Sequence, residues 1–326
     1  MNRRPFTRLA LCAAALLSFA LPGAAQDGPY PNKLVTVVVP FPAAGTTDSI
    51  ARIVADKLRA RFQQSVIVDN KPGAGGNIGG AHVARSAPDG YTLFASPPGP
   101  LAINFNLYKS INYDARKFVP ITTIANMPNV IVVGPSVKAR NLQELIDYAK
   151  ANPGKLSFAS QGNGSTSHLT ALYFESRLGI KMVHVPYRGS APALTDLMAG
   201  TVDLMFDNVT TTLPFHQSKR VRILASATKE RVGFIPDVPT MHEAGVPNFE
   251  SGTWVTLVAP ERTPPAIAQT LAREVAAIVK MPDVVKQFEA LGADPVGSTP
   301  EATAAMLREE SARWKKVIDS AQITLD

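Results

Sequence analysis

The amino-acid sequence predicts an α/β fold in which parallel sheets carry helices on both faces. Two observations predict it. Short runs of β-branched and other apolar residues alternate along the chain with longer segments that show the apolar spacing of helices. Several runs also lead through a small polar turn straight into a helix-like segment, a connection typical of parallel strands. In folds of this class, ligands bind at the carboxyl ends of the strands.

The predicted strands are short and apolar. LVTVVV at residues 34–39 shows the pattern most clearly, because an uninterrupted apolar run is typical of a strand that is buried on both faces. The complete set is residues 34–39, 65–69, 91–96, 129–134, 155–160, 182–187, 203–207, 221–227 and 253–259.

The predicted helices lie between these strands and then fill the C-terminal part of the chain. Those of the alternating region are residues 48–62, 79–86, 142–151, 167–178 and 191–199. After residue 259 the pattern is almost wholly helical, with helices at 265–279 and 300–321 and another helix start at Pro282. We expect these C-terminal helices to pack on the N-terminal domain and to have no role in a site.

Residues 1–25 have the features of a signal peptide. Three arginines precede an apolar stretch, Leu9 to Leu21, and small residues follow it, so we expect cleavage after Ala25 and a periplasmic protein. The stretch is too short to span a bilayer as a stable helix, which disfavours an uncleaved anchor. Adjacent Arg3 and Arg4 leave both the Sec and the twin-arginine export routes open.

The composition excludes several classes of protein. The chain has 33 basic and 26 acidic residues, a formal charge of +7, and removal of the three leader arginines leaves +4. No basic run with interleaved aromatic residues occurs, so a nucleic-acid surface is not indicated. Cys12, the only cysteine, lies in the leader, so the mature chain has no disulfide and no cysteine-ligated metal. Residues 26–326 are enough for two domains.

Four turns share one design: a buried strand, a small polar turn, and then a helix. They are residues 40–48, 161–169, 186–194 and 207–212. The N-terminus of a helix carries unpaired N–H groups and a partial positive charge, which together favour an anion. The alternative for any single turn is that its Ser or Thr only caps its own helix. Four such turns at strand ends indicate a shared crevice.

The sequence lacks the known nucleotide-binding patterns. No GxxxxGK[ST] occurs, and GAGGNIGG at residues 73–80 misses GxGxxG because Ile78 stands where the third glycine is needed. We interpret this segment as a tight turn into a short helix beside the crevice. No cofactor is expected.

Catalytic and metal sites are also disfavoured. Ser165, Ser167 and His168 lie close together and Asp207 is a possible third member, but no GxSxG elbow is present. Adjacent residues on a helix point about 100° apart, so Ser167 and His168 do not form a direct pair. We interpret Ser165 or Thr166 as a helix cap. The five histidines, which lie in separate elements without HxxxH or HxH spacing, are His82, His168, His184, His216 and His242.

Two charged residues of the turns carry the remaining hypotheses. Arg188 follows a strand and precedes a glycine, so its guanidinium either grips a carboxylate of a ligand or pairs with a neighbouring aspartate. The aspartates considered are Asp196, Asp203 and Asp207. Asp48 is expected to accept N–H bonds from its own turn and to fix the first loop.

The sequence resembles the Bug family, the periplasmic solute-binding proteins of tripartite tricarboxylate transporters. The resemblance covers essentially the whole mature chain, and its segments are PFPAAGTTDSIAR, DNKPGAGGNIGG, DGYTLFAS, FASQGNGSTSHL, HVPYRGSAPALTDLMAGTVDLMFD and PDVPTMHEAGVP. It implies a two-domain type II periplasmic-binding-protein fold with a ligand cleft between the domains. Domain 1 would comprise residues 26–126 and 251–326, and domain 2 residues 127–250. The chain would cross between them near residues 121–132 and 253–259.

The resemblance also implies a function. The protein would capture a small carboxylate and deliver it to the membrane subunits of a tripartite transporter, without being an enzyme, and we expect a monomer. Backbone amides of the first loop would hold one carboxylate, often through water. The implied ligand-binding residues are Phe41, Ala43, Ala44, Gly45, Thr46, Thr47, Asp48, Ser96, Asn104, Gln161, Asn163, Gly164, Ser165, Thr166, His168, Arg188 and Asp207.

One residue departs from the family pattern, and some alternatives stay open. The family usually has Gly-Gly where this chain has Ala44-Gly45, so Ala44 is either strained by a positive φ or narrows the pocket by one methyl group. Specificity is expected near Asn104, Arg188 and Asp207, and Asp207 would favour an amino group unless Arg188 pairs with it. A sensor for a signalling kinase and a hydrolase using Ser165 and His168 are the alternative functions.

Overall fold

The computed structural model describes residues 30–325, so the predicted leader, Cys12 and the cleavage site after Ala25 lie outside the described residues. Ten strands are present in this range. They are β1 (Val35–Val39), β2 (Val66–Asn70), β3 (Thr92–Ser96), β4 (Val119–Val133), β5 (Ser157–Ser160), β6 (Val183–Pro186), β7 (Leu204–Asn208), β8 (Arg222–Ser226), β9 (Gly252–Ala259) and β10 (Asp294–Pro295).

Ten α-helices occur in the same range. They are α1 (Thr46–Phe62), α2 (Asn77–Ala84), α3 (Asn104–Leu107), α4 (Leu142–Ala151), α5 (Thr166–Leu178), α6 (Ser190–Ala199), α7 (Val209–Gln217), α8 (Pro265–Ile278), α9 (Pro282–Ala290) and α10 (Pro300–Ala321). The sequence did not predict α3. It predicted α7 only as the helix after the polar turn at residues 207–212, without bounds, because three threonines and Pro214 are poor helix formers.

The strands form one mixed sheet, in the order β2-β1-β3-β9-β4-β7-β5-β6, with β8 and β10 also paired to β4. The predicted α/β class is confirmed, but the prediction of parallel sheets is correct only in part. Strand β1 is parallel to β2 and β3, and β5 is parallel to β6 and β7. Strands β4 and β9 are antiparallel to their neighbours. Strand β4 carries the chain from one part of the sheet to the other, and β9 carries it back. An apolar run does not encode strand direction, so the sequence could not reveal this.

Strand β4 joins two halves of the molecule. Residues 119–128 pair with β9, whereas residues 129–133 pair with β7 and β8. We call the part around β1, β2, β3 and β9 the first half, and the part around β5 to β8 the second half. The last pair before the change is Pro128 with Gly252, and a Cβ at Gly252 would lie 3.0 Å from the Met127 carbonyl oxygen. The predicted domain boundaries fall close to this pair, and the domain division stays a prediction.

Each half has its own apolar core. In the first half, Ile50 and Leu58 of α1 pack with Leu271 of α8 and Phe288 of α9. In the second half, Phe158, Phe174 and Phe206 are fully buried around β5 and β7. Full burial of such a side chain contributes about 1.5–3 kcal/mol. The expected packing of α8 and α9 on the first half is therefore confirmed.

Helix α10 departs from that expectation, because it contacts both halves. Trp314 and Ile318 pack with Ile103 and Leu107 of the first half, and also with Leu169 of α5 in the second half. Leu325, which follows α10, forms a parallel bridge with Tyr108. The apolar pattern predicted the helix correctly, but such a pattern does not show which neighbours its apolar face will contact.

Candidate functional site

A cleft of about 940 Å³ lies between the two halves, at the carboxyl ends of the parallel strands. We call its side in the first half the first wall and its side in the second half the second wall. The first wall contains residues 41–47, 72–76 and 97–99 and Tyr108. The second wall contains residues 161–163, 165–166 and 188–192, Asn208 and Thr211, while Met127 and Thr253 come from the crossing strands.

Asp48 holds the first wall in place. Its carboxylate is 2 % exposed and accepts hydrogen bonds from the Ala44 N–H at 2.8 Å and from Arg52 Nε at 3.0 Å. It also accepts from Asn70 Nδ2, which bonds in addition to the Phe41 carbonyl oxygen. Burial raises the pKa of Asp48, but hydrogen bonds from Arg52, Asn70 and Ala44 and the charge of Arg52 outweigh it, so the pKa is lowered. The predicted bracing role of Asp48 is confirmed.

Ala44 has φ of +64°, in the left-handed region that favours glycine. This answers the question that the sequence raised: the backbone at Ala44 is strained, at a cost on the order of 1 kcal/mol. The bond from its N–H to Asp48 lies within the same turn and helps to hold this conformation. The Ala44 side chain is exposed and belongs to the lining of the first wall.

Asn104 does not line the cleft, contrary to the expected role in specificity. It is 2 % exposed, and its Nδ2 donates to the Gly75 carbonyl oxygen at 3.0 Å and to Asn77 Oδ1 at 2.6 Å. It therefore supports the glycine-rich turn, whose residues 72–76 do line the cleft. A buried side chain on α3 was not foreseen, because that helix was not predicted.

The turn between β5 and α5 forms one part of the second wall. Ser165 is the N-cap of α5: its Oγ accepts from the His168 N–H at 3.3 Å and donates to the Gly162 carbonyl oxygen at 2.7 Å. This confirms the predicted cap. Gly164 has φ of +75°, and a Cβ there would lie 2.3 Å from a methyl carbon of Leu107, so glycine is required.

His168 lies behind this turn and not on the lining. Its ring stacks on the ring of His184 with centroids 4.0 Å apart, and its Nδ1 accepts from the Gly164 N–H at 3.1 Å. The Nε2 of His184 is 2.7 Å from Ser160 Oγ. Burial, followed by the neighbouring His184, lowers the pKa of His168 to about 3, and burial lowers the pKa of His184 to about 4. Both rings are therefore neutral at physiological pH.

Asp207 holds the second wall, and it is fully buried. Its Oδ1 accepts from Gln161 Nε2 at 2.7 Å and from Ser190 Oγ at 2.9 Å. Its Oδ2 accepts from Thr211 Oγ1 at 2.7 Å and from Thr212 Oγ1 at 2.8 Å. With both oxygens occupied, Asp207 does not reach into the cleft. Asp207 is therefore not paired with Arg188, and its expected contact with a ligand stays a prediction.

Arg188 is exposed and lines the cleft. Its three candidate partners have other contacts, since Asp196 accepts from Tyr187 Oη, Asp203 accepts from Ser157, and Asp207 has the four donors given above. No ion pair within residues 30–325 involves Arg188. Of the two hypotheses for Arg188, a structural pair with these aspartates is therefore not supported.

The predicted site residues fall into two groups. Those on the cleft lining are Phe41, Ala43, Ala44, Gly45, Thr46, Thr47, Gln161, Asn163, Ser165, Thr166 and Arg188. Those behind the lining are Asp48, Ser96, Asn104, Gly164, His168 and Asp207. That any of them contacts a ligand stays a prediction.

Sequence reasoning missed several lining residues. They are residues 72–76, 97–99 and 189–192 and Pro42, Tyr108, Met127, Gly162, Asn208, Thr211 and Thr253. Pro97 to Gly99 follow β3 directly, so their place after a parallel strand was a usable signal. Met127 and Thr253 belong to crossing strands, and nothing in their sequence marks them.

The side chains considered for catalysis are engaged elsewhere. Ser165 caps its helix, Ser167 Oγ donates to the Phe206 carbonyl oxygen, and His168 Nδ1 accepts from a backbone N–H. In the described range, no group of three or more His, Cys, Asp or Glu residues is placed to hold a metal ion. The helices of that range also include none that is long and apolar enough to cross a membrane.

This chain is similar to a known family and to a named relative. The family of tripartite tricarboxylate transporter receptors, TctC, matches residues 50–323. Protein BugT of Bordetella pertussis is 38 % identical over 291 residues, covering 89 % of this chain and 89 % of BugT.

Two solved structures have the same fold. Rpa4515 of R. palustris, solved with adipate, is 37 % identical with a TM-score of 0.86, covering 90 % of this chain and 99 % of that one. MatC of Rhodopseudomonas palustris, solved with bound malate, is 33 % identical with a TM-score of 0.81, covering 89 % of this chain and 100 % of that one.

Proposed function

Because this chain belongs to the tripartite tricarboxylate transporter receptor family, we propose that its cleft captures a small carboxylate for delivery to membrane subunits of such a transporter. The Bug-family prediction and the predicted role of a solute-binding receptor are confirmed by the family match.

The charge of the cleft lining carries the proposal. Arg188 is the one charged side chain of the lining residues within the described chain, and none of them is Asp or Glu. The first turns of α1, α5, α6 and α7 also contribute lining residues, and their free N–H groups favour an anion. A carboxylate is stabilised by both features, whereas a cation is stabilised by neither.

The relatives support the same class of ligand. Adipate and malate, which occupy the related structures, are both small carboxylates. A cleft of about 940 Å³ holds a molecule of that size together with water, and water-mediated contacts tolerate variation at the far end of the ligand.

Further parts of the proposal rest on the sequence. The leader, residues 1–25, supports export to the periplasm with cleavage near Ala25. We propose a monomer that binds without catalysis. The hydroxyl groups of Ser165 and Ser167 support binding without catalysis, because neither is paired with the ring of His168.

Thermal unfolding of the mature protein tests the proposed function. We would screen monocarboxylates, dicarboxylates, tricarboxylates and amino acids, and we expect a raised Tm with at least one carboxylate, because a ligand that binds only the folded state stabilises it. No stabilisation by any anion, together with turnover of a substrate, would contradict the proposal.

A further inference from the structure

We propose that the second wall selects a carboxylate that also carries a hydrogen-bond donor, namely a hydroxyl, amide or ammonium group. The inference rests on the proposed function and narrows its ligand class. It follows from where the hydroxyl hydrogens of Ser190 and Thr211 point.

Ser190 and Thr211 both line the cleft, and the hydroxyl group of each donates to the buried Asp207. Ser190 Oγ is 2.9 Å from Asp207 Oδ1. Thr211 Oγ1 is 2.7 Å from Asp207 Oδ2 and 3.1 Å from the Asn208 carbonyl oxygen, so either partner takes its hydrogen inward. A hydroxyl group has one hydrogen and two lone pairs. Towards the cleft, Ser190 and Thr211 therefore present acceptors.

The burial of Asp207 keeps these hydrogens in place. The carboxylate is fully buried, so water cannot replace a donor that turns away. Each lost bond would leave a charged oxygen short of a partner, which is costly in a low-dielectric interior. A ligand carboxylate that needs the hydrogen of Ser190 or Thr211 must compete with this buried charge. A ligand donor needs no such change.

Two further residues of this wall bear on its hydrogen-bonding groups. Asn208 is 7 % exposed and lines the same wall, and its Oδ1 is buried without a donor within the described residues. Helix α6 also has Pro192 in its first turn, and proline has no N–H to offer. Arg188 and the amide of Asn208 also offer donors on this wall, so its acceptors are localised at Ser190 and Thr211.

The hydroxyl groups of the first wall have the opposite character to those of Ser190 and Thr211. The hydroxyl groups of Thr46 and Thr47 have no hydrogen-bond partner among residues 30–325, and both residues line the cleft. They remain able to donate to a carboxylate, together with the N–H groups of the first turn of α1. A ligand would then place a carboxylate on the first wall and its donor on Ser190 and Thr211.

The related structures contain one ligand of each kind, with and without a hydrogen-bond donor. Adipate, in one of them, has no donor when both carboxyl groups are ionised, whereas malate, in the other, has a hydroxyl group. On the geometry of Ser190 and Thr211, the present chain belongs with the second kind of ligand.

Matched pairs of ligands test the inference. We would measure Kd by calorimetry for succinate, malate and aspartate, and for adipate and 2-aminoadipate. We expect the donor-bearing member of a pair to bind about tenfold or more tightly than the plain dicarboxylate of equal length. In Ser190→Ala and Thr211→Val, this preference should fall to about threefold or less, while binding of the plain member changes little.

Thr212→Val is the matched control. Thr212 donates to the same Asp207 oxygen as Thr211, but it is fully buried and does not line the cleft. Its variant should keep the ratio of the two Kd values even if the Tm falls. Should Thr211→Val not fold, Ser190→Ala carries the test.

Three outcomes would overturn the inference. The first is that plain dicarboxylates bind as tightly as their donor-bearing partners. The second is that the preference survives in both Ser190→Ala and Thr211→Val. Binding of no carboxylate at all would overturn the proposed function as well, so the two failures are distinguishable.

Discussion

The two walls of the cleft are each held by one buried aspartate, but the two aspartates use different partners. Asp48 of the first wall bonds to a backbone N–H, to an amide and to Arg52, whose side chain is 48 % exposed. Asp207 of the second wall bonds to four uncharged side chains and to no cation. The difference decides what each wall can offer a ligand.

Asp48 holds the first loop through a backbone N–H, so the hydroxyl groups of that loop remain unbonded. Thr46 and Thr47 carry these hydroxyl groups, so the first wall offers donors to an anion. An aspartate that holds side chains takes their hydrogens, so Ser190 and Thr211 offer acceptors. The two buried aspartates thus leave the hydroxyl groups of the two walls with opposite hydrogen-bonding character: Thr46 and Thr47 can donate, whereas Ser190 and Thr211 accept.

Removal of each aspartate should give the largest losses in the free energy of unfolding. Asp207→Ala leaves Thr212 buried without a partner and frees three loops of the second wall, so we expect a loss of about 3 kcal/mol or more in the free energy of unfolding. Asp48→Ala should lose about 1–2 kcal/mol, since Arg52 regains water. Urea unfolding followed by circular dichroism measures both, and equal losses would contradict the comparison.

As the pH is lowered, the second wall should lose its contribution to stability at a higher pH than the first wall. His168 has a pKa of about 3 in the folded protein against 6.5 for the free side chain, so the unfolded chain binds the extra proton. The corresponding stability is complete above about pH 6.5 and is lost as the pH falls towards the folded value, on the order of 2 kcal/mol by about pH 4.5. Asp48, whose pKa is lowered, loses its contribution only below the ordinary carboxyl value of 3.8.

The His168→Asn variant isolates this effect. The amide oxygen of Asn can accept from the Gly164 N–H but takes up no proton. Unfolding free energies at about pH 7 and about pH 4.5 should differ less in the variant than in the wild type. An unchanged difference would show that His168 does not contribute.

Loss of the charge on the second wall should weaken binding without affecting folding. Arg188→Gln is expected to reduce carboxylate affinity about tenfold, or ~1.4 kcal/mol, and to leave the Tm of the free protein unchanged. Arg59→Gln is the control, because Arg59 is exposed in the last turn of α1, whereas the cleft meets the first turn. Equal affinity losses in the two variants would indicate a general charge effect.

The smallest effect concerns backbone strain, which differs between the walls. The second wall has glycine at its positive-φ positions 162, 164 and 189, whereas the first wall has alanine at two of its five, Ala44 and Ala74, and glycine at positions 73, 75 and 76. Ala44→Gly should raise the free energy of unfolding by about 0.5–1 kcal/mol. Ala43→Gly, without a positive φ, should lower it by a similar amount. A loss in both variants would mean that Ala44 is not strained.

Local features of this fold could be predicted because they depend on neighbouring residues. The strand LVTVVV, the cap at Ser165 and the bracing role of Asp48 each follow from a few residues in sequence. The anion-favouring turns could be found for the same reason, since a strand followed by a polar turn and a helix is a local pattern.

Features that depend on distant partners could not be predicted. Asp207 meets Gln161 across 46 positions and Ser190 across 17, so nothing local shows that its oxygens are fully used. Asn104 bonds to Gly75 and Asn77 across 29 and 27 positions, which moves it from the expected site to a support. The direction of β4 and β9 has the same origin.

The pairing of Pro128 with Gly252 has a mechanical consequence for the ribbon of β4 and β9. Proline has no N–H for a ladder, and glycine has no side chain to stiffen the pair. We therefore expect the ribbon to bend most readily at this pair, where β4 runs on without interruption and β9 begins. Such bending would change the width of the cleft while the hydrogen bonds of Asp48 and Asp207, each within one half, remain intact.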